Sequence, residues 1–343
     1  MAITFRGLVR RWGARTVWLA ITAIGLYVVA PGLLTMFGAW PRLATVEPQW
    51  FVILAVLELL SFAALWWLTR IALAPSETAP HPRLGWGVAA TGQLAGNAAS
   101  KVIPGGAATG AVVQGKVLIA AGQPGGAVAS GLTASNLLSS AVLLLLPVLT
   151  IPALIIGPPP ADQLQLGLVV SLILAVVIVA VGFTALTWPR VVAAFGRGIG
   201  RVGQVFTAAI TPQRVADGLL AERDRIAVAF TGRWWRAVVA AAANRMCDFA
   251  ALVAALVAFG AHARPAEVLL AYVVAQTFAI IPITPGGVGL VDAGLTTLLV
   301  VIGVPADTAL IGTLLYRLFS FWLPIPLGLF AWAGWRIAVP KAA

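Results

Sequence analysis

Apolar residues run along this chain in blocks of about twenty, separated by short polar stretches, the pattern of helices sized to cross a bilayer. Runs at about 17–37, 50–73, 127–150, 166–188, 237–259 and 307–335 predict six full spans. Two further apolar stretches, about 88–121 and 266–302, are interrupted by Pro104-Gly105-Gly106 and Pro285-Gly286-Gly287. Proline removes a backbone donor and glycine adds freedom that a helix must suppress, so each stretch predicts two half-length helices meeting at a turn. The first also carries Gln93, Asn97, Lys101, Thr109, Gln114 and Lys116, too many polar groups for a lipid-facing helix.

The two broken stretches are related. A shift of 181 positions places Pro104 on Pro285, Gly122 on Gly303, Pro124 on Pro305, Gly131 on Gly312 and Ser139 on Ser320, without a gap. Such coincidence of turn residues marks an internal repeat, about 88–150 and 266–335, within a single transmembrane domain over 1–343.

Composition agrees: 61% of residues are hydrophobic and 10% charged, against roughly 25% charged in soluble domains. The net charge of +11 raises nucleic acid as a partner only until the basic residues are placed. With the N-terminus inside, the inner loops and ends collect sixteen of the 22 Lys and Arg, and the outer loops only Arg42 and Arg264. Lys101, Lys116, Arg245 and Arg317 fall within apolar segments. This asymmetry predicts a multi-pass protein of the cell membrane with both termini cytoplasmic, and no nucleic-acid role. The run 17–37 is longer than a signal-peptide core and is expected to stay as an anchor. Eight inner arginines fall in 189–236, where Val202, Val205, Phe206, Ala209 and Ile210 recur at helical spacing. That segment is expected to be basic, cytoplasmic and amphipathic, with part of it on the membrane surface.

Parity then fixes the relation between the repeats. Three full spans separate the broken stretches, and each broken stretch leaves on the side it entered, so the two have opposite orientation. The expected fold is an all-α polytopic membrane protein of six full spans plus two re-entrant-type helical hairpins in inverted repeats. Interrupted helices in inverted repeats are the sequence pointer to a transporter-type site.

Charges near the bilayer centre cost about 2.5–3.5 kcal/mol each on insertion scales, so they are retained for a reason and usually paired. Glu58, Asn244, Arg245, Asp248 and Tyr316 form a candidate intramembrane network, in which Arg245 and Asp248, three apart, can pair locally. Asp292 can pair with Arg317. Each pair also has an architectural reading as glue between helices, with a functional role favoured for Asp292 and Arg317. Each Pro-Gly-Gly turn precedes a helical half whose N-terminus presents free N–H groups and a positive dipole end. Candidate substrate-binding residues are therefore Asn97, Lys101, Pro104, Gly105, Gly106, Thr109, Pro285, Gly286, Gly287, Asp292 and Arg317, a set suited to an anionic lipid headgroup. The plainer alternative is that proline and glycine merely permit tight helix crossing. No catalytic residue, cofactor or metal site is expected. Cys247 is the lone cysteine, His81 and His262 are far apart, and there is no P-loop or placeable Ser-His-Asp set.

The stretch Pro282-Ile283-Thr284-Pro285-Gly286-Gly287-Val288-Gly289-Leu290-Val291-Asp292, followed by Tyr316-Arg317-Leu318-Phe319-Ser320-Phe321-Trp322, resembles a known membrane family. It is similar to the transmembrane flippase region of the lysylphosphatidylglycerol synthases and their stand-alone relatives. The resemblance spans roughly 93–335 and takes in Asn244, Arg245, Asp248 and the first Pro-Gly-Gly. It implies movement of a polar or charged lipid between leaflets. Relatives usually carry Glu where this chain has Asp292, a shorter reach with the same charge. The aminoacyl-transferase domain of the synthases is not expected, because the chain ends just after its last span; lipid aminoacylation is not expected either. Transport would draw its direction from an ion gradient or from consumption of the product. Two other classes stay open. One is an accessory subunit of envelope lipid or glycan biosynthesis. The other is a headgroup transferase, for which only Asp217, Glu222 and Asp224 offer acids in the inner loop. Expected partners are membrane lipids with an anionic headgroup, and either a second copy of the chain or an envelope-biosynthesis protein.

Overall fold

The computed structural model describes residues 41–75, 82–103, 106–150, 187–206, 211–230, 232–280 and 289–338, with scattered positions at 38 and between 169 and 185. The expected span 17–37, most of the span 166–188, His81, and the turn residues Pro104, Gly105, Pro285, Gly286 and Gly287 lie outside them. Every regular element among the described residues is helical. In chain order they are α1 (Pro48–Ala72), α2 (Trp86–Val102), α3 (Gly106–Ala120) and α4 (Gly125–Leu145), the last continued by a 3-10 turn, Leu146–Thr150. Then come α5 (Pro189–Phe206), α6 (Pro212–Ala229), α7 (Trp234–Val257), α8 (Pro265–Ile280) and α9 (Leu290–Val301). α10 (Ala306–Arg317) runs through a π turn, Leu318–Trp322, into α11 (Pro324–Ala338).

Four helical stretches are long and apolar enough to cross a membrane: Pro48–Ala72, Gly125–Thr150, Trp234–Val257 and Ala306–Ile337. They match four of the expected spans to within a few residues. On α1, Val52, Val56, Leu59 and Leu60 are exposed, an apolar face of the kind a bilayer covers. The chain is a multi-pass membrane protein.

Both interrupted stretches are pairs of short helices. α2 and α3 have 17 and 15 residues, α8 and α9 have 16 and 12. At 1.5 Å per residue α9 reaches about 18 Å, well short of a hydrocarbon core of about 30 Å. α2 and α3 pack backbone to backbone where glycines face each other. A Cβ on Gly96 would stand 2.8 Å from the Gly110 carbonyl oxygen, and one on Gly110 2.6 Å from that of Gly96. On another side of α2, Gly328 of α11 presses against the Leu94 carbonyl.

Two helix ends 181 positions apart share one backbone hydrogen-bond pattern. Gly122 N–H donates to Ile119 at 2.9 Å and Gln123 N–H to Leu118 at 3.2 Å; Gly303 N–H donates to Val300 at 3.0 Å and Val304 N–H to Leu299 at 3.0 Å. Both glycines are left-handed, with φ of 87° and 92°, the αL helix ending that glycine adopts without a Cβ penalty. Pro124 and Pro305 then start α4 and α10. Leu73, at the end of α1, fills the space above Gly131, and Leu256, at the end of α7, does so above Gly312. Thus α1 meets α4 through Leu73 as α7 meets α10 through Leu256.

α1 and α7 lie antiparallel along each other. Leu54 sits in one core with Ala251 and Leu252, whereas Leu68 and Ile71 sit in another with Ala237, Ala240 and Ala241. The α7 stripe facing this contact, Ala237, Ala241, Asn244, Asp248, Ala251 and Ala255, steps by four and three residues, and its small side chains let the backbones approach. At its middle, Asn244 Nδ2 donates to the Ser61 carbonyl, and Ser61 Oγ to the Asn244 carbonyl, both at 3.2 Å.

The basic segment 189–236 holds α5 and α6 and runs into the first turn of α7. α5 and α6 cross where Gly196 meets Ala216 and Gly200 meets Pro212. α6 is tied to α4 by Ser130 Oγ donating to Glu222 Oε2 at 3.0 Å.

Candidate functional site

Polar side chains gather inside the bundle from six helices. α7 contributes Asp248, whose Oδ2 accepts from Tyr272 Oη at 2.6 Å and Gln276 Nε2 at 3.2 Å, both on α8. Tyr316 Oη, on α10, donates to both Asp248 oxygens at 3.0 Å and accepts from Gln276 Nε2 at 3.1 Å. Tyr272 and Gln276 are four residues apart, hence on one face of α8. Glu58, buried on α1, faces Asp248. Its Oε1 finds no hydrogen-bond donor among the described residues.

The charge of Arg317 continues the cluster. Its Nε forms an ion pair with Asp292 Oδ1 at 2.5 Å, joining α10 to the first turn of α9. Asp292 Oδ2 in turn accepts from Gly289 N–H at 3.1 Å, so the same carboxylate caps the helix and holds the guanidinium. This pair links the two segments that the sequence suggested.

Lys101 reaches across from α2. Its Nζ donates to the carbonyls of Ser320 at 2.8 Å and Phe321 at 3.1 Å. The local sequence explains why the Ser320 oxygen is open to it. An α-helical Ser320 carbonyl would take its bond from residue 324, but Pro324 has no N–H. The chain widens into a π turn, with Leu323 N–H donating to Leu318 at 2.8 Å, and the lysine supplies a donor to the Ser320 carbonyl. The Phe321 ring lies beneath both cations, 4.8 Å from Lys101 Nζ and 4.6 Å from Arg317 Cζ, an arrangement favoured by the ring quadrupole.

The expected residues therefore divide. Lys101, Asp292, Arg317, Tyr316, Asp248 and Glu58 form one connected cluster. Asn244 sits apart, engaged with Ser61. The local Arg245–Asp248 pair is not formed: Asp248 is taken by the two tyrosines and Gln276, and Arg245 Nε is buried without a hydrogen-bond partner among the described residues. Asn97 and Thr109 are half-buried on the first hairpin, with Asn97 Oδ1 unmatched among the described residues. Gly106 opens α3 with φ of 52°, next to turn residues outside the described set.

Sequence reasoning missed Tyr272, Gln276, Ser61 and Phe321. The paired spacing of Tyr272 and Gln276 inside an otherwise apolar helix was the available signal for the first two. Pro324 and Pro326, just after Ser320, were the signal for unpaired carbonyls.

No curated protein and no solved structure matches the chain. A match does come from the family described as the lysylphosphatidylglycerol synthase TM region, over residues 16–328 of 343. That stretch includes both short-helix pairs and every member of the charged cluster, and the chain belongs to this family.

Proposed function

We propose that this protein moves a lipid with a polar or anionic headgroup between leaflets, through a cleft between two inverted repeats, without chemically modifying it. The observation that carries the proposal is the buried charged cluster, to which both halves contribute. Lys101 and Glu58 come from the first half, Asp248, Asp292 and Arg317 from the second. Buried charges are costly unless paired; Arg317 and Asp292 pair within the second half, whereas Lys101 of the first half is held by second-half carbonyls, so separating the halves would uncover Lys101 beside Arg317 for a headgroup. The acyl chains would stay in the bilayer throughout.

Support for the repeats comes from the shared turn at Gly122 and Gly303, the leucines above Gly131 and Gly312, and the reciprocal Ser61–Asn244 bonds. Reciprocal contact is the mark of a two-fold relation. Antiparallel α1 and α7, each leading into one repeat, fit an axis in the membrane plane. In this arrangement the protein has six full spans and two re-entrant hairpins in the cell membrane, with both termini cytoplasmic. Asn97 and Thr109 line the headgroup path, and Lys101 and Arg317 exchange their internal partners for the headgroup anion.

The test is exchange of fluorescent-headgroup lipids in proteoliposomes, compared with protein-free vesicles, across phospholipids and isoprenoid-phosphate lipids. Acceleration for at least one supports transport. Failure with all of them favours an accessory subunit of envelope biosynthesis, for which the internal partners of Lys101 and Arg317 would be permanent glue.

A further inference from the structure

Four arginines converge where α1 ends and α7 begins. A cavity of about 360 Å³ there is lined by Trp67, Arg70, Arg83, Arg233 and Arg236 among others. Arg70 belongs to the last turn of α1, Arg83 to the link into α2, and Arg233 and Arg236 to the entry into α7.

Two of them are fixed by the backbone. Arg70 Nε donates to the Leu84 carbonyl at 2.8 Å, and its guanidinium lies 4.3 Å from the Trp86 ring centroid. Arg233 Nη2 donates to the Pro75 carbonyl at 3.2 Å. Each such bond uses one of five N–H donors on a planar fork. Arg83 and Arg236 are exposed, the latter 5.2 Å from the Trp235 ring centroid. Among the described residues no carboxylate lines the cavity or forms an ion pair with any of the four.

The bias of basic residues toward one side of a membrane accounts for arginines at this end. It does not account for four of them, from three chain segments, opening onto one cavity. Elsewhere the same chain matches arginine with acid: Arg223 with Asp224, Arg225 with Glu222, and Arg264, on the link between α7 and α8, with Glu267. Gathered guanidinium groups repel one another unless an anion sits between them, and their forked geometry matches phosphate oxygens. Trp67, Trp86 and Trp235 surround the cluster, the residue type that sits at headgroup depth.

We propose that this cavity binds a phosphate-bearing anion, and that its occupant is the headgroup of an anionic lipid rather than a soluble phosphate. Basic pockets between membrane helices recognise such headgroups. The site is separate from the charged cluster inside the bundle and does not depend on the transport proposal.

The experiment uses the full chain purified in detergent, with bound lipid counted by native mass spectrometry and stability followed by thermal melting. Phosphatidylglycerol, phosphatidylcholine and inorganic phosphate are the three probes. Arg83→Gln, Arg236→Gln and their combination are the variants, because neither side chain holds the backbone as Arg70 and Arg233 do. Phosphatidylglycerol is expected to bind and raise the melting temperature where phosphatidylcholine does not. The double variant should melt normally without lipid yet bind phosphatidylglycerol about tenfold more weakly. Inorganic phosphate that leaves the lipid bound supports a lipid site; displacement by inorganic phosphate overturns the lipid assignment. Equal binding of the two lipids, or unchanged affinity in the double variant, overturns the site altogether.

Discussion

Ser61 and Asn244 exchange hydrogen bonds in both directions: each side chain donates to the other's backbone carbonyl at 3.2 Å, and Asn244 Nδ2 also donates to Ser61 Oγ at 2.7 Å. Both residues are buried, at the middle of the α1–α7 contact. Removing the amide leaves the Ser61 carbonyl without its donor in an apolar interface and the Ser61 hydroxyl with only its bond to the backbone of residue 244. Asn244→Ala should therefore destabilise the protein by about 1–3 kcal/mol. A double-mutant cycle with Ser61→Ala should return a coupling of about 0.6–1.7 kcal/mol, the range found between membrane helices. Thermal or denaturant melting in detergent checks both.

The first hairpin depends on two glycines whose backbones touch. Gly96→Ala or Gly110→Ala sets a methyl against a backbone carbonyl, at 2.8 Å or 2.6 Å. Each should lose about 1–3 kcal/mol. Gly334→Ala on α11, where a Cβ meets nothing within 4 Å, should be neutral or slightly stabilising. Melting of the three variants side by side distinguishes crowding from a general intolerance of substitution.

Asp292 and Arg317 pair with side-chain exposures of 27% and 10%. Asp292→Asn leaves a largely buried guanidinium without its counter-charge, and Arg317→Gln leaves the carboxylate without its own. The double variant should be more stable than the sum of the singles predicts, by about 0.5–3 kcal/mol. Strict additivity would mean that the two charges do not interact.

Asp248 draws its partners from helices distant in sequence. Tyr272→Phe and Tyr316→Phe keep ring and volume but remove a donor, and each should cost about 1–3 kcal/mol. Arg245→Gln should leave the Asp248 contacts untouched and disturb stability less than either tyrosine change. The opposite order would restore the local Arg245–Asp248 pair.

Much of the architecture could be read from punctuation. Pro and Gly at Gly122, Pro124, Gly303 and Pro305 fix helix ends through backbone geometry alone, and the two turns carry the same hydrogen bonds. The Asp292–Arg317 contact was legible because few charges lie within the apolar segments. Arg245–Asp248 went the other way. Spacing of three made a local pair available, but the tertiary arrangement of α8 and α10 supplied three better-placed donors. The role of Lys101 was hidden as well. It depends on the Ser320 carbonyl released at Pro324, more than two hundred residues away, which spacing cannot connect to a lysine on α2.

The most direct measurement is headgroup translocation in proteoliposomes by the wild type and by Lys101→Ala, Asp292→Ala and Arg317→Ala, each first shown to be folded by its melting profile. Transport through the charged cluster predicts acceleration over protein-free vesicles by the wild type and its loss in all three variants. Acceleration that survives all three substitutions, or none from the wild type with any lipid, would contradict it.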